Sequence, residues 1–225
     1  MLTRLRARLA GDAGVTLVEL LVGMTLSVII GAMTLSLFVN ASDATRATTD
    51  KSIDVAQARN VLQSWTSYLA VADGPSYGTT SHRFEWITDS DALFYADLGN
   101  RASTDSVGAP TVVWLRLTGR RLIEEQFAYG TTSPKVCRIL ADTVSAAPLF
   151  TAYDTTFAAM TSGMLGQPMA TGGAGCTDLP SSVTQTDQTA VANLQKVSRV
   201  KVAFTISDTA GKHSTAFESS ADVQG

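Results

Sequence analysis

The sequence contains few of the residues on which most catalytic and metal sites depend. Its 225 residues include two histidines, two cysteines and 16% charged residues, compared with roughly 25% in an ordinary globular protein. Neither His82 nor His213 belongs to a zinc-ligand motif. There is no G-x-S-x-G elbow, and the glycine-rich stretch at 172–175 lacks the Lys-Ser/Thr ending of a phosphate-binding loop. We therefore predict no enzymatic activity, no metal site, no cofactor and no small-molecule substrate.

Basic residues are also scarce. The chain has 17 Lys and Arg against 20 Asp and Glu, for a formal net charge of -3. No basic stripe lies beside aromatic residues, so we expect no nucleic-acid partner. The only basic cluster consists of Arg4, Arg6 and Arg8, directly ahead of a long apolar run.

The two cysteines are Cys137 and Cys176. A long stretch rich in Gly and Thr separates them, which fits a single loop-closing disulfide if this part of the chain is exported. Two unrelated free thiols are the alternative, and they are the expectation for a cytosolic chain. The choice depends on the side of a membrane on which the domain lies.

The apolar run extends from Val15 to Val39, and Glu19 is its only charged residue. As a helix it would be ~37 Å long, enough to cross a hydrocarbon core of roughly 30 Å. Three arginines before it, against Asp12 alone, place the N-terminus inside and the rest of the chain outside. We therefore predict a single-pass helix over 15–39 in the cytoplasmic membrane.

Two other interpretations fit this run less well. A core helix of a soluble protein should be amphipathic, whereas this run is apolar all round. A secretory signal could be cleaved after Ala41, but its apolar region is usually only about 7–15 residues long. A carboxylate inside such a region would also hinder export.

A periodic stretch follows the apolar run. No proline occurs before Pro75, so nothing breaks a helix there in the way that proline does. Spacings of three and four residues put one set of apolar residues on a single helical stripe: Val55, Ala58, Leu62, Trp65, Leu69 and Ala72. Asp73-Gly74-Pro75 then supplies a stop. We predict that the helix continues through 40–73 and lays this stripe against a folded domain.

The start of the run resembles a known motif. Gly14-Val15-Thr16-Leu17-Val18-Glu19 is similar to the processing and methylation motif of type IV prepilins and pseudopilins. In that family a short basic leader ends in glycine. The next residue, usually phenylalanine, becomes an N-methylated N-terminus, and glutamate stands at the fifth mature position. Valine at position 15 departs from this pattern, as does the lack of the proline that many major pilins carry in the apolar span.

The resemblance implies a leader at 1–14, cleavage by a prepilin peptidase between Gly14 and Val15, methylation of Val15, and an assembly role for Glu19. A carboxylate in an apolar run is costly unless it has a partner. When subunits bundle their helices, the α-ammonium at Val15 of a neighbouring subunit would pair with Glu19 and set the register of the two helices. The alternative is a glutamate that is merely tolerated at the interface.

After Pro75 the sequence changes to strand-like alternation. Short strands are predicted around Phe84–Trp86 and over 92–96, joined by a turn that accounts for Asp89 and Asp91 better than a calcium site does. A hairpin is predicted around Thr118-Gly119-Arg120. Further strands are expected over 135–140, 200–206 and 213–219, with long surface loops at about 141–195.

These elements predict an α+β fold in which the long helix packs on an antiparallel sheet of an extracytoplasmic domain over 74–225. The pilin resemblance implies the same layout. It also implies a minor pilin or pseudopilin of a type IV pilus-like or type II secretion filament, with other pilin subunits as partners. The alternative is a single-pass anchor that presents a ligand-binding domain and never polymerises.

Overall fold

The computed structural model describes residues 15–72, 82–98, 110–146, 148–166, 175–179, 187–207 and 214–223. The chain divides into two compact units, Met1–Asp50 and Lys51–Gly225. The first unit contains the beginning of one helix. Among its described residues, the second contains the end of that helix, two antiparallel sheets, one short α-helix and one turn of 3-10 helix over Ser162–Met164.

Helix α1 runs without interruption over Leu17–Ala70, a length of 54 residues. This confirms the prediction of a single long helix. Threonine and serine hydroxyls within the apolar run donate to carbonyls one turn earlier, as Ser27 does to the carbonyl of Gly23 and Thr34 to that of Ile30. The hydroxyls of Thr25, Ser27 and Thr34 are therefore satisfied inside the helix itself.

The end of α1 supplies part of the domain core. Ala58, Val61, Trp65, Tyr68 and Leu69 are buried. Three of these lie on the predicted stripe, whereas Val61 and Tyr68 were not predicted. The buried stripe is wider than one line of residues because it contacts more than one sheet. The predicted stop at 73–75 lies outside the described residues.

Sheet 1 is a five-stranded antiparallel meander in the order β1-β2-β3-β4-β5. Its strands are β1 Phe84–Ile87, β2 Asp91–Ala96, β3 Thr111–Thr118, β4 Arg121–Ala128 and β5 Val136–Ala141. Thr118 pairs with Arg121 across a two-residue loop, and Gly119 takes a φ of 63° there. Glycine adopts that conformation without a steric cost, which confirms the predicted hairpin.

Sheet 2 was not predicted as a separate layer. It consists of β6 Val144–Ser145, β7 Phe150–Tyr153, β8 Ala159–Met160, β9 Arg199–Ser207 and β10 Ser214–Asp222. The order is β10-β9-β7-β8, with β6 also paired to β9. Strand β9 shows the predicted alternation, since its buried residues occupy every second position: Val200, Val202, Phe204 and Ile206.

The prediction of long surface loops over 141–195 is wrong for much of the described part. This region contributes β6, β7 and β8 to sheet 2, and it contains helix α2 over Gln188–Leu194. The Asp187 side chain caps α2 by accepting from the backbone N–H groups of Thr189 and Ala190. The strands were missed because each has only two to four residues and little apolar contrast with its threonine-rich neighbours.

One bulge changes the predicted faces of β1. Phe84 pairs with Phe94, but Trp86 pairs with Leu93, so the register shifts by one residue between them. Phe84 therefore packs in the main core with α1, whereas Trp86 packs on the opposite face of sheet 1. Strict alternation along this strand would put Phe84 and Trp86 on one face, and the bulge overturns that expectation. Glu85, which lies between them, is buried as well.

Two apolar clusters result from this arrangement. The main core lies among α1, sheet 1 and sheet 2. A second cluster covers the other face of sheet 1 and includes Leu179 from the segment 175–179. Its buried side chains are aromatic or aliphatic: Trp86, Leu93, Tyr95, Val112, Trp114, Phe127 and Leu179. Sheet 1 is thus buried on both faces, which explains why β1 and β4 carry so few exposed residues.

Candidate functional sites

The start of α1 holds Glu19 in a capping box with Thr16. The Thr16 backbone N–H and hydroxyl both donate to Glu19 Oε2 at 3.0 Å, and the Glu19 backbone N–H donates to Thr16 Oγ1 at 3.2 Å. This reciprocal pattern satisfies free N–H groups at a helix start. Its T-x-x-E signature is a local signal from which the cap could have been predicted. Gly14 lies outside the described residues.

The apolar run presents its side chains outward all round. Every residue from Val15 to Ala41 is exposed, and this stretch has the length and composition to cross a membrane. An apolar surface of this extent needs lipid or protein against it. The chain is therefore consistent with single-pass anchoring through its N-terminal helix.

Cys137 and Cys176 form a disulfide, with their Cα atoms 5.9 Å apart. This settles the choice left open between a disulfide and two free thiols. The bond ties β5 to the segment 175–179. The Glu125 carboxylate lies near both sulfurs, and this is the one group of three potential metal ligands among the described residues. Because both sulfurs are bonded to each other, neither is available as a thiolate ligand.

A buried ion pair lies beneath the disulfide. Arg116 Nε donates to Glu125 Oε2 at 2.9 Å, and both side chains are almost fully buried. The Thr177 backbone N–H donates to Glu125 Oε1 at 2.6 Å, while Arg116 Nη2 donates to the carbonyl of Gly175. The Arg116 guanidinium also lies 4.8 Å from the centre of the Trp114 ring. The pair therefore holds the segment 175–179 against sheet 1.

A second buried carboxylate ties α1 to sheet 1. Glu124 accepts from the Tyr68 hydroxyl at 2.6 Å, from Gln126 Nε2 at 2.6 Å and from Arg138 Nη2 at 2.9 Å. Burial raises the pKa of Tyr68 to about 12, and the hydrogen bond to Glu124 adds to that effect. Sequence reasoning did not find this cluster, because Tyr68 and Glu124 are 56 positions apart.

A third carboxylate lies at the bulged strand β1. Glu85 accepts from the Tyr95 hydroxyl and lies 3.2 Å from His82 Nε2. The hydrogen bond between His82 and Glu85 raises the pKa of His82, although burial opposes the shift. In the predicted turn, Asp91 accepts from Trp86 Nε1 at 2.6 Å. His82 and Asp91 therefore both make contacts that stabilise the fold. His213 lies outside the described residues.

The three clusters share one chemical character. Each buried carboxylate is paired with donors from the same chain, which is how buried charges are normally tolerated. Such groups position the helix and the segment 175–179 on sheet 1.

The fold defines an α+β protein with one long N-terminal helix and antiparallel sheets, consistent with a pilin-like architecture. No protein-family model matches the chain, and comparison with curated proteins found no similar sequence.

Proposed function

We propose that the chain is a minor pilin or pseudopilin, a structural subunit of a type IV pilus-like or type II secretion filament. The observation that carries the proposal is the continuity of α1 over Leu17–Ala70. One helix begins as an exposed apolar segment and ends as part of a domain core. A plain membrane anchor needs only the first of these two parts, whereas a filament subunit uses both.

The proposed pathway begins in the cytoplasmic membrane, with the N-terminus inside and the domain outside. A prepilin peptidase cuts between Gly14 and Val15 and removes the basic leader. The new N-terminus at Val15 is then methylated. The resemblance of residues 14–19 to the prepilin motif and the apolar surface of Val15–Val39 support this pathway.

Glu19 is the proposed assembly residue. In the isolated subunit, both hydrogen bonds from Thr16 end on the same carboxylate oxygen, Oε2. The other oxygen, Oε1, is able to accept from a further donor. The α-ammonium at Val15 of a neighbouring subunit would supply that donor when helices leave the lipid and bundle. A charge pair in such an apolar surrounding sets the register of the helices, because a mismatched register leaves both charges unpaired.

The first test is the N-terminus of the protein extracted from its native membrane, measured by intact-mass and N-terminal peptide mass spectrometry. We expect a chain that begins at Val15 and carries one additional methyl group. A chain that still begins at Met1 would contradict the proposal and favour a single-pass anchor. A start near Ser42 would also contradict it, because the apolar run would then have been a cleaved signal.

A further inference from the structure

An aromatic residue is held in an unfavourable backbone conformation at the surface of sheet 2. Phe157 lies in the loop between β7 and β8, with a φ of 61° and a side chain that is 63% exposed. A bulky residue rarely adopts positive φ, and residues under such strain concentrate at functional sites. Neither burial nor the hydrophobic effect accounts for a phenylalanine in this position.

The loop is fixed by a single aspartate. Asp154 Oδ1 accepts from the backbone N–H and the hydroxyl of Thr156, at 2.8 and 2.7 Å, and from the Ala158 N–H at 3.0 Å. The Phe157 N–H donates to the Asp154 carbonyl at 3.0 Å. The ring is therefore presented by a preorganised loop, which lowers the entropic cost of binding through it.

A cleft of about 470 Å³ lies beside the ring, on the outer face of sheet 2. Arg199, Lys201 and Glu218 line its floor. Lys201 pairs with Glu218 at 2.7 Å, and Arg199 pairs at 2.6 Å with Asp222, which lies outside the lining. The Arg199 guanidinium also lies 4.9 Å from the centre of the Phe157 ring. These side chains all remain partly exposed, so their outer hydrogen-bonding positions face the cleft or solvent.

The chemistry of this cleft selects among ligand classes. Each of the two lining cations is already paired with a carboxylate, so neither an anion nor a cation is favoured overall. The floor offers donors and acceptors side by side, which matches hydroxyl groups because each hydroxyl both donates and accepts. The exposed ring offers an apolar face, which matches the C–H face of a sugar ring.

We propose that the cleft between Phe157 and the Arg199–Asp222 and Lys201–Glu218 pairs binds a neutral saccharide. Its volume falls in the range of small-molecule sites, about 300–1,000 Å³. The ring would stack on one face of a sugar, while Arg199, Lys201 and Glu218 bind the hydroxyl groups at its edge. This inference concerns the folded unit Lys51–Gly225 alone and does not depend on filament assembly.

The test uses the full chain, purified in a detergent without a sugar headgroup, on an array of immobilised neutral mono- to tetrasaccharides. A matched set of immobilised peptides is printed beside them. We expect wild-type protein to bind one or more neutral saccharides. F157G should weaken that binding by about tenfold or more. It should leave the melting temperature unchanged or raised, because glycine adopts positive φ without strain.

M164A is the matched control, since Met164 is another exposed apolar residue and does not line the cleft. It should bind saccharides as wild type does. The proposal is overturned if wild type binds none of the saccharides, or if it binds peptides instead. Equal saccharide binding by F157G and wild type would overturn it as well, because a stable F157G chain lacks only the ring.

Discussion

At the scale of the residue, the most consequential side chains of the domain are its buried carboxylates. Glu124 is fully buried and accepts hydrogen bonds from three different side chains. Removing one partner of a buried charge costs more than the net value of the pair, because the remaining charge stays desolvated. Tyr68 is the partner that belongs to α1, so its hydroxyl links the helix to sheet 1.

The Tyr68 contact predicts a dependence of stability on alkaline pH. The pKa of Tyr68 is raised from 10 to about 12 in the folded chain. Its contribution is therefore complete below pH 10 and is lost as the pH rises through 12. A shift of this size corresponds to about 3 kcal/mol at most. We expect Y68F to lower the free energy of unfolding by about 1–3 kcal/mol at pH 7.

Y68F should also reduce the additional loss of stability between pH 10 and 12. The measurement is urea unfolding of wild type and Y68F at pH 8, 10 and 11.5 in one detergent. Y153F is the control, since Tyr153 lies on the outer face of sheet 2 and should leave the alkaline loss as it is in wild type. An alkaline loss in Y68F equal to that of wild type would show that Tyr68 does not carry the effect.

At the scale of the element, the segment 175–179 depends on contacts from several parts of sheet 1. The disulfide joins it to β5, Glu125 of β4 accepts the Thr177 N–H, and the Leu179 N–H donates to the Thr132 carbonyl at 2.7 Å. Leu179 then covers part of the second apolar cluster. The segment has no regular secondary structure, so these tertiary contacts are what hold it in place.

We therefore expect the disulfide to keep the segment 175–179 in its folded conformation. The cysteines are 39 positions apart, and closing a loop of that length stabilises a folded chain by roughly 4 kcal/mol in the chain-entropy model. We expect the double variant C137S/C176S to lose up to that amount. Hydrogen–deuterium exchange should rise first at Thr177 and Leu179. Their N–H groups donate to Glu125 and to the Thr132 carbonyl, and these hydrogen bonds hold the segment in place.

The matched reference within the same experiment is the β9–β10 strand pair, which belongs to sheet 2, whereas the disulfide joins β5 of sheet 1 to the segment 175–179. Its exchange should remain close to that of wild type. If the segment 175–179 stays as protected in C137S/C176S as in wild type, then the Arg116–Glu125 pair and Leu179 hold it without the covalent bond.

At the scale of the whole molecule, the observed capping contact of Glu19 can be separated from its proposed role in assembly. Its capping box with Thr16 needs an oxygen acceptor, which glutamine also supplies. The proposed pairing with a neighbouring ammonium needs a negative charge. We expect E19Q and E19A to reach the membrane but to fail to enter filaments, since an ammonium left unpaired in the bundle costs about 3 kcal/mol or more.

T16A provides the matched control for the capping box. It removes both side-chain bonds to Glu19 and keeps the charge, so it should enter filaments. The measurement compares the subunit in the sheared filament fraction with the membrane-bound pool by immunoblot. Normal incorporation of E19Q together with failure of T16A would assign Glu19 to helix capping and would remove the assembly role.

Some of this architecture follows from the sequence because its signals are local. The span of α1 could be predicted from an apolar run, a three-four spacing and the absence of proline. The alternation of β9 and the turn at Gly119 depend only on neighbouring residues. Glu19 was found in the same way, because a carboxylate in an apolar run is conspicuous without any structure. Local signals of this kind can be recognised in the sequence because the backbone geometry of one element determines them.

Other features were decided by tertiary structure. The bulge in β1 shifts Trp86 to the second cluster, and nothing in the four residues of that strand marks the shift. Glu124 and Glu125 are adjacent in β4 and therefore face opposite sides of sheet 1, yet both are buried, as is Glu85, each beside a partner from another element. Burial depends on residues distant in the chain, so only the assembled fold determines it.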